Sequence, residues 1–230
     1  MQKITVRILI ILTILLVPLV IVPGMVRLLV TDQYLAFEYG KSDFPKDVFG
    51  FEPNQRFSHA SDSLRYIVEN RPPAFLADQK HDNAPLYSLR EVSHMQDVQN
   101  VFQTLWNLWE VSSVLFIICI LALTLIGEGR KSISSGLKTG GLVTVGLLTL
   151  IGISAAIAWD DWFVLFHRFF FAEGSWLFSY SDTLIRLFPP QFWLDSVVMV
   201  SSLSLLSGFL VYGLGRAFAP KDKTVMTLVT

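Results

Sequence analysis

The sequence predicts an all-α membrane protein: a four-transmembrane-helix bundle with a small α/β extracytoplasmic cap and an aromatic interfacial loop. Three observations carry this. Hydrophobic residues make up 52% of the 230 residues and charged ones only 16%, too apolar for an ordinary soluble domain. Four runs, 8–26, 105–126, 142–159 and 197–217, reach the length of ~20 apolar residues that crosses a bilayer. Charge is also sorted along the chain. Lys3, Arg7, Arg130, Lys131, Lys138, Arg216, Lys221 and Lys223 stand against only Glu128 and Asp222, a net +6, whereas the other ten basic and seventeen acidic residues give −7. The positive-inside rule then places both termini and the short 127–138 loop in the cytoplasm, with the segments 31–100 and 160–195 outside. All of 1–230 reads as a single integral membrane domain.

Span 1 lies where a signal peptide would. Its apolar run between Arg7 and Arg27 exceeds the usual h-region and no small-residue cleavage pattern follows, which predicts a retained anchor. Pro18 and Pro23 remove backbone donors and predict a kink. Arg27 closes the span, placed either to snorkel to headgroups or to contact a phosphate or acyl oxygen.

The cap, 31–100, is too small for an independent catalytic fold. Leu35, Phe37 and Tyr39 alternate with Tyr34, Ala36 and Glu38, which predicts a strand. Phe57, Ala60, Leu64, Ile67 and Val68 follow helical spacing over 55–69 and stop at Pro72 and Pro73. The runs 74–76 and 86–87 flank a polar DQKHDN turn and predict a hairpin. His59 and His81 read as surface histidines. Leu35, Phe37, Leu64 and Ile67 need burial, which predicts that the cap packs rather than hangs free.

Ser88 followed three residues later by Glu91 is a capping box, so an amphipathic helix starts here and feeds span 2. At 100° per residue Arg90, Glu91, His94 and Asp97 share one face, while Leu89, Val92 and Met95 point elsewhere. A histidine among carboxylates and guanidinium at the edge of a span fits proton transfer, and fits equally a solvated helix face. Glu110, beside Trp106 and Trp109, reads either as an interfacial residue in an aromatic belt or as a functional carboxylate. Cys119 lies inside a span and forms no intrachain disulfide, being the one cysteine.

Span 3 carries Gly140, Gly141, Gly146, Gly152, Ser154, Ala155 and Ala156, and span 4 carries Ser201, Ser202, Ser204, Ser207 and Gly208. Small side chains let helices approach closely, which predicts packing as a bundle. Between them, 160–195 is too rich in Phe and Trp for a water-exposed loop and is expected in the membrane interface or re-entering it. Asp182 reads as the cap of a short helix ended by Pro189 and Pro190. His167 sits in this apolar setting.

His94 and His167 are thus both expected at the outer interface. The chain has no GxSxG, Walker or HExxH motif and no cysteine in the outer segments. A serine nucleophile stays open, because a triad is recognised by geometry. Two histidines can instead supply an acid and a base to a substrate that brings its own nucleophile.

Four segments, FPKDVFGFEPNQR (44–56), REVSHMQDV (90–98), FHRFFF (166–171, with Trp176) and DTLIRLFPPQFW (182–193), carry a resemblance. In order and in their four-span frame they resemble the Lit family of integral membrane proteins, the bacterial lipoprotein intramolecular transacylases. The resemblance implies transfer of the sn-2 acyl chain of a diacylglyceryl-cysteine lipoprotein to its own α-amine, giving a lyso-form lipoprotein. His94 and His167 match the family's two catalytic histidines. It further implies diacylated lipoproteins and membrane lipid as partners, no nucleic acid, no metal and no cofactor, and a multi-pass protein of the bacterial cytoplasmic membrane working at the outer leaflet. Asp97 or Glu91 is expected to orient His94, Arg90 or Arg168 to stabilise an oxyanion, with Glu110 and Arg27 as further support residues. Which histidine is base and which acid stays open. Two other classes compete: a metal-dependent membrane hydrolase, which lacks HXXXH or HXH spacing, and a non-catalytic lipid- or lipopeptide-binding protein.

Overall fold

The computed structural model describes residues 2–126 and 129–220. Gly127, Glu128 and the Lys221, Asp222 and Lys223 of the charge count lie outside the described residues. Helix α1 (Gln2–Leu29) is followed by α2 (Asp32–Tyr39), α3 (Pro53–Val68), α4 (Ala74–Ala77), strands β1 (Lys80–His81) and β2 (Ala84–Pro85), and α5 (Leu89–Leu125). The rest is α6 (Gly129–Ile157), α7 (Trp159–Phe170), α8 (Thr183–Leu187) and α9 (Pro190–Ala217). α1, α5, α6 and α9 are each long and apolar enough to cross a membrane.

Each of these four helices runs beyond the apolar stretch that announces it. α1 continues through Pro18 and Pro23 as one helix. α5 joins the amphipathic segment and span 2 without a break, because nothing between Ser88 and Leu125 interrupts helical backbone. α6 begins at Gly129, inside the expected 127–138 loop, and α9 begins at Pro190, where a missing N–H costs nothing.

The chain forms two compact units. One comprises the described parts of 1–21, 111–148 and 204–230. Here glycines set the helix contacts. A Cβ on Gly136 would lie 2.9 Å from Thr13 Cγ2, one on Gly140 2.7 Å from Val17 Cγ2, and one on Gly141 2.6 Å from the Gly208 carbonyl oxygen. Gly146 has open space around it. Leu123, Ile133 and Leu137 form a small core with Val6, Leu9, Phe116 and Val211. Thr13 and Thr144 return their hydroxyls to the carbonyls of Leu9 and Gly140, so apolar surroundings leave neither hydroxyl unsatisfied.

The other unit, 22–110 and 149–203, holds the expected cap and the aromatic segment around one core. Tyr34, Leu35, Phe44, Phe51, Tyr66, Leu76, Tyr87, Met95, Leu187 and Phe192 are buried together. Removing a large apolar side chain of this kind from water contributes about 1.5–3 kcal/mol. Phe37, expected inside, is 54% exposed.

That exposure marks the first correction. Residues 34–39 form α2 and not a strand: the Thr31 hydroxyl accepts the Tyr34 N–H at 3.3 Å and Asp32 sits in the first turn, two helix-start signals that override a weak alternation. Tyr34, Leu35 and Glu38 are buried, an i, i+1, i+4 pattern. The expected α/β cap is therefore helical apart from β1 and β2, which pair Lys80 with Pro85 and His81 with Ala84. The hairpin is tighter than expected, because Asp82 and Asn83 take φ of 49° and 64° and turn the chain within two residues, while 74–77 become α4. His59 and His81 are half-buried, 5.8 Å apart as rings, and both pack on Phe51.

Side chains from segments far apart in the chain lock this unit. Arg56 donates to the carbonyls of Arg186 and Pro45 at 2.7 and 2.6 Å. Asp47 accepts from the N–H groups of Phe49 and Phe51 and pairs with Arg186 at 2.9 Å. Gln99 and Gln103 of α5 donate to the Tyr66 and Ile67 carbonyls in the last turn of α3, satisfying helix-end acceptors, and Gln99 donates also to the Arg71 carbonyl beyond it.

Candidate functional site

The Ser88 and Glu91 capping box forms. The Glu91 N–H donates to Ser88 Oγ at 3.3 Å, and Ser88 N and Oγ both donate to Glu91 Oε2, at 2.7 and 2.9 Å. The other carboxylate oxygen, Oε1, accepts the Leu184 N–H at 2.9 Å, so Glu91 and not Asp182 caps α8 with its side chain. Asp182 instead accepts the Ser179 N–H and pairs with Arg90 at 3.2 Å. The Thr183 hydroxyl donates to the Leu86 carbonyl. These contacts fasten the start of α5 to the segment that follows α7.

One turn beyond Glu91, His94 is only 8% exposed. Its ring meets Phe171 at 4.9 Å and Phe178 at 5.3 Å, and its Nδ1 has no hydrogen-bond partner among the described residues. His167 lies in the last turn of α7, a helix of 12 residues and thus too short to span a bilayer. Its Nδ1 lies 2.7 Å from the Phe163 carbonyl oxygen, and its ring contacts Phe163 at 4.1 Å, Trp176 at 4.7 Å and Phe171 at 5.6 Å. Phe171 therefore packs on both histidines, and the structure brings together the two residues the sequence set 73 positions apart on motifs of different segments.

The carbonyl contact fixes a tautomer. A carbonyl only accepts, so His167 carries its proton on Nδ1 and leaves the Nε2 lone pair free. Aromatic burial disfavours a charged imidazole in both cases. His94, three turns ahead of the apolar stretch that begins near Leu105, is held down at about 4, by burial first and by the charge of His167 second. Burial also lowers His167, partly offset by the Phe163 carbonyl. Near neutral pH both are neutral, with one N–H and one lone pair each.

The expected support residues divide. Glu91 does not orient His94, since both its oxygens hold Ser88 and Leu184. Asp97 makes no hydrogen bond to His94 either and instead lines an open cleft of about 310 Å³ with Asn100, Val101, Thr104 and Phe170. Arg90 lies over the Phe178 ring at 5.0 Å besides pairing with Asp182, which commits it to holding the aromatic wall. Arg168 is exposed and forms no ion pair among the described residues. Glu110 is exposed, and the Arg27 guanidinium lies 5.4 Å from the rings of both Trp106 and Trp109. The structure thus places Arg27 and Glu110 in no contact with either histidine. The residues that sequence reasoning missed are Phe171, Phe178 and Trp176 as the walls of the imidazole pair. Among the described residues no group of three or more His, Cys, Asp or Glu side chains converges as a metal-ligand set.

Comparison with known proteins places the fold and the family. An uncharacterized protein of Aquifex aeolicus is 30% identical over 186 residues, 80% of this chain and 82% of that protein. In structure, the lipoprotein intramolecular transacylase Lit from Bacillus cereus superposes with a TM-score of 0.79 at 19% identity, covering 93% of this chain and 95% of that one. A histidine-to-arginine variant of it gives 0.57 at 17% identity over 94% and 93%. These likenesses show the membrane-integral fold. The model of the lipoprotein intramolecular transacylase Lit family matches residues 10–193, a stretch that contains every contact described around His94 and His167. The chain belongs to the Lit family.

Proposed function

We propose that this chain moves the sn-2 acyl chain of a diacylglyceryl-cysteine lipoprotein onto the α-amine of that same cysteine, leaving an N-acyl, S-monoacylglyceryl lyso form, with His94 and His167 carrying the proton. The observation that supports it best is the packing of both imidazoles on Phe171 inside one aromatic enclosure. In such surroundings neutral imidazoles exchange protons with little competition from water.

The substrate brings its own nucleophile. A free α-amine has a pKa of about 8, so one proton must leave to solvent before attack. The neutral amine attacks the ester carbonyl and forms a tetrahedral oxyanion. His167 takes the proton from the attacking nitrogen at Nε2, its tautomer held by the Phe163 carbonyl. The N–H of His94 faces the developing oxyanion and glyceryl oxygen, where it hydrogen-bonds and then delivers a proton as the C–O bond breaks. The proton left on His167 restores His94, so one proton travels from nitrogen to oxygen overall and the enzyme returns unchanged. Because amine and ester share one thioether tether, positioning contributes up to about 7–11 kcal/mol, and the braced junction of α5 and α8 keeps the histidines in register.

The charge asymmetry along the chain supports a site at the outer leaflet with both termini in the cytoplasm, where a lipoprotein anchor presents ester and amine together. The test is mass spectrometry of the N-terminal lipopeptide from a reporter lipoprotein co-expressed with this chain. One acyl group on nitrogen and one on glycerol is the expected product. Recovery of the diacyl form unchanged, with the chain folded and inserted, would favour a lipopeptide-binding protein instead.

A further inference from the structure

The cleft beside His94 has a chemical character of its own. At 100° per residue His94, Asp97, Asn100, Val101 and Thr104 fall within about a third of the circumference of α5, and Asp97 stands one turn along from His94. Across from them is Phe170, whose ring neighbours Phe171, the ring that touches both histidines. Neither histidine lines the cleft, which is linked to the imidazole pair by the one helical turn from Asp97 to His94 and by the contact of the Phe170 and Phe171 rings.

Of its three polar side chains, only that of Thr104 is spent internally. The Thr104 hydroxyl is turned to the Asn100 carbonyl at 2.8 Å. The Asp97 carboxylate, half-buried, and the Asn100 amide form no side-chain hydrogen bond or ion pair among the described residues. The other carboxylates packed into this unit are engaged: Glu38 with Lys41, Asp47 with Arg186, Glu91 with Ser88 and Leu184, and Asp182 with Arg90. A half-buried carboxylate flanked by Val101 and Phe170 favours a small cation with an apolar back. The volume, about 310 Å³, lies at the small end for ligand sites and suits a head group rather than two acyl chains.

We propose that Asp97, with the Asn100 amide, receives the α-ammonium of the substrate's terminal cysteine and so selects free amino termini over acylated ones. This rests on the transacylase reading and adds its specificity. Asp97 holds the ammonium form, which loses one proton to solvent before attack and its second to His167 as the new bond forms. Acylation turns the cation into a neutral amide, so the contact that favours substrate is lost in the product. A lipoprotein already acylated on nitrogen is refused for the same reason. Charge-assisted hydrogen bonds to a partly buried partner discriminate by about 10- to 100-fold in affinity.

The experiment measures binding of a synthetic diacyl lipopeptide and of its N-acetylated twin to the full-length chain in nanodiscs, in a His94→Gln background that leaves substrate intact. A preference of about 10- to 100-fold for the free amine is expected, collapsing toward unity in His94→Gln/Asp97→Asn while affinity for the N-acetyl twin stays the same. With His94 restored, Asp97→Asn should raise KM far more than it lowers kcat, and Asp97→Glu should recover part of the preference. Equal loss of affinity for both lipopeptides, or an undiminished preference, overturns the proposal. The parent chain is assayed for acyl transfer in parallel. Transfer with no role for Asp97 in preference refutes this inference alone, while an Asp97-dependent preference without transfer refutes the transacylase reading alone.

Discussion

Glu91→Ala tests whether the carboxylate is a brace or a partner of His94. The side chain is 3% exposed and accepts three hydrogen bonds, from Ser88 N, Ser88 Oγ and Leu184 N. The Ser88 bonds belong to a partly exposed capping box, whose loss costs about 1 kcal/mol. Losing the Leu184 bond leaves a buried N–H with no acceptor at the start of α8, a penalty of about 1–3 kcal/mol. The total is about 3 kcal/mol. With the scaling of a domain of 150–250 residues, that lowers the thermal midpoint by about 6–12 °C. Thermal unfolding in detergent measures it, and the pH profile of kcat assigns the cause. A brace lowers the midpoint and depresses kcat at every pH, because α8 no longer holds the aromatic wall in place. An unchanged midpoint together with a displaced pH profile would refute the reasoning and return Glu91 to His94.

Three further outcomes follow from the geometry. The folded chain holds His94 at about 4, whereas an unfolded one holds a histidine near 6.5, so between those values the unfolded state binds more protons and stability falls as pH drops from about 6.5 to 4. Denaturation between pH 7 and 5 should therefore show a smaller acid-side loss in His94→Gln than in the parent chain. Gly141→Ala places a Cβ 2.6 Å from the Gly208 carbonyl oxygen and 2.8 Å from the Tyr212 nitrogen, so the thermal midpoint should drop by the equivalent of about 1–3 kcal/mol. Gly146→Ala, with nothing within 4 Å, should hold or raise it. In intact cells, a membrane-impermeant thiol reagent should label Asp78→Cys and spare Lys131→Cys, both exposed positions, in a Cys119→Ser background.

Features of the chain written locally were legible in the sequence. The capping box needs only two residues three apart, and it sits where the spacing of Ser88 and Glu91 places it. The four spans are legible because a bilayer demands a long apolar run whatever the tertiary structure. The α2 segment misleads because five of the six residues from Tyr34 to Tyr39 are apolar or aromatic, so period 2 and period 3.6 fit alike and the Thr31 cap decides. Helix α7 was hidden in a segment whose high aromatic content reads as interfacial loop, although its two aspartates in the first turn are a helix-start signal. Exchanged partners were not legible at all. Asp182 looks like the cap of α8, but only the fold shows that Glu91, 91 positions earlier, takes that N–H and leaves Asp182 for Arg90. The imidazole pair was nominated by motif resemblance, while the ring they share, Phe171, is fixed by packing across segments far apart in the chain.

The central claim is that His94 and His167 act as one proton-transferring unit. Its most direct test is the rate at which the purified full-length chain converts a synthetic diacyl lipopeptide to the lyso form, for His94→Ala, His167→Ala and the double variant, each verified as folded by its thermal midpoint. Each single change should lower kcat by about 10²- to 10⁴-fold. The double variant should lie within about threefold of the slower single one, because residues that act as a unit are not additive, and His59→Ala should keep most activity. Losses that multiply in the double variant, or a folded single variant with undiminished rate, would contradict the account.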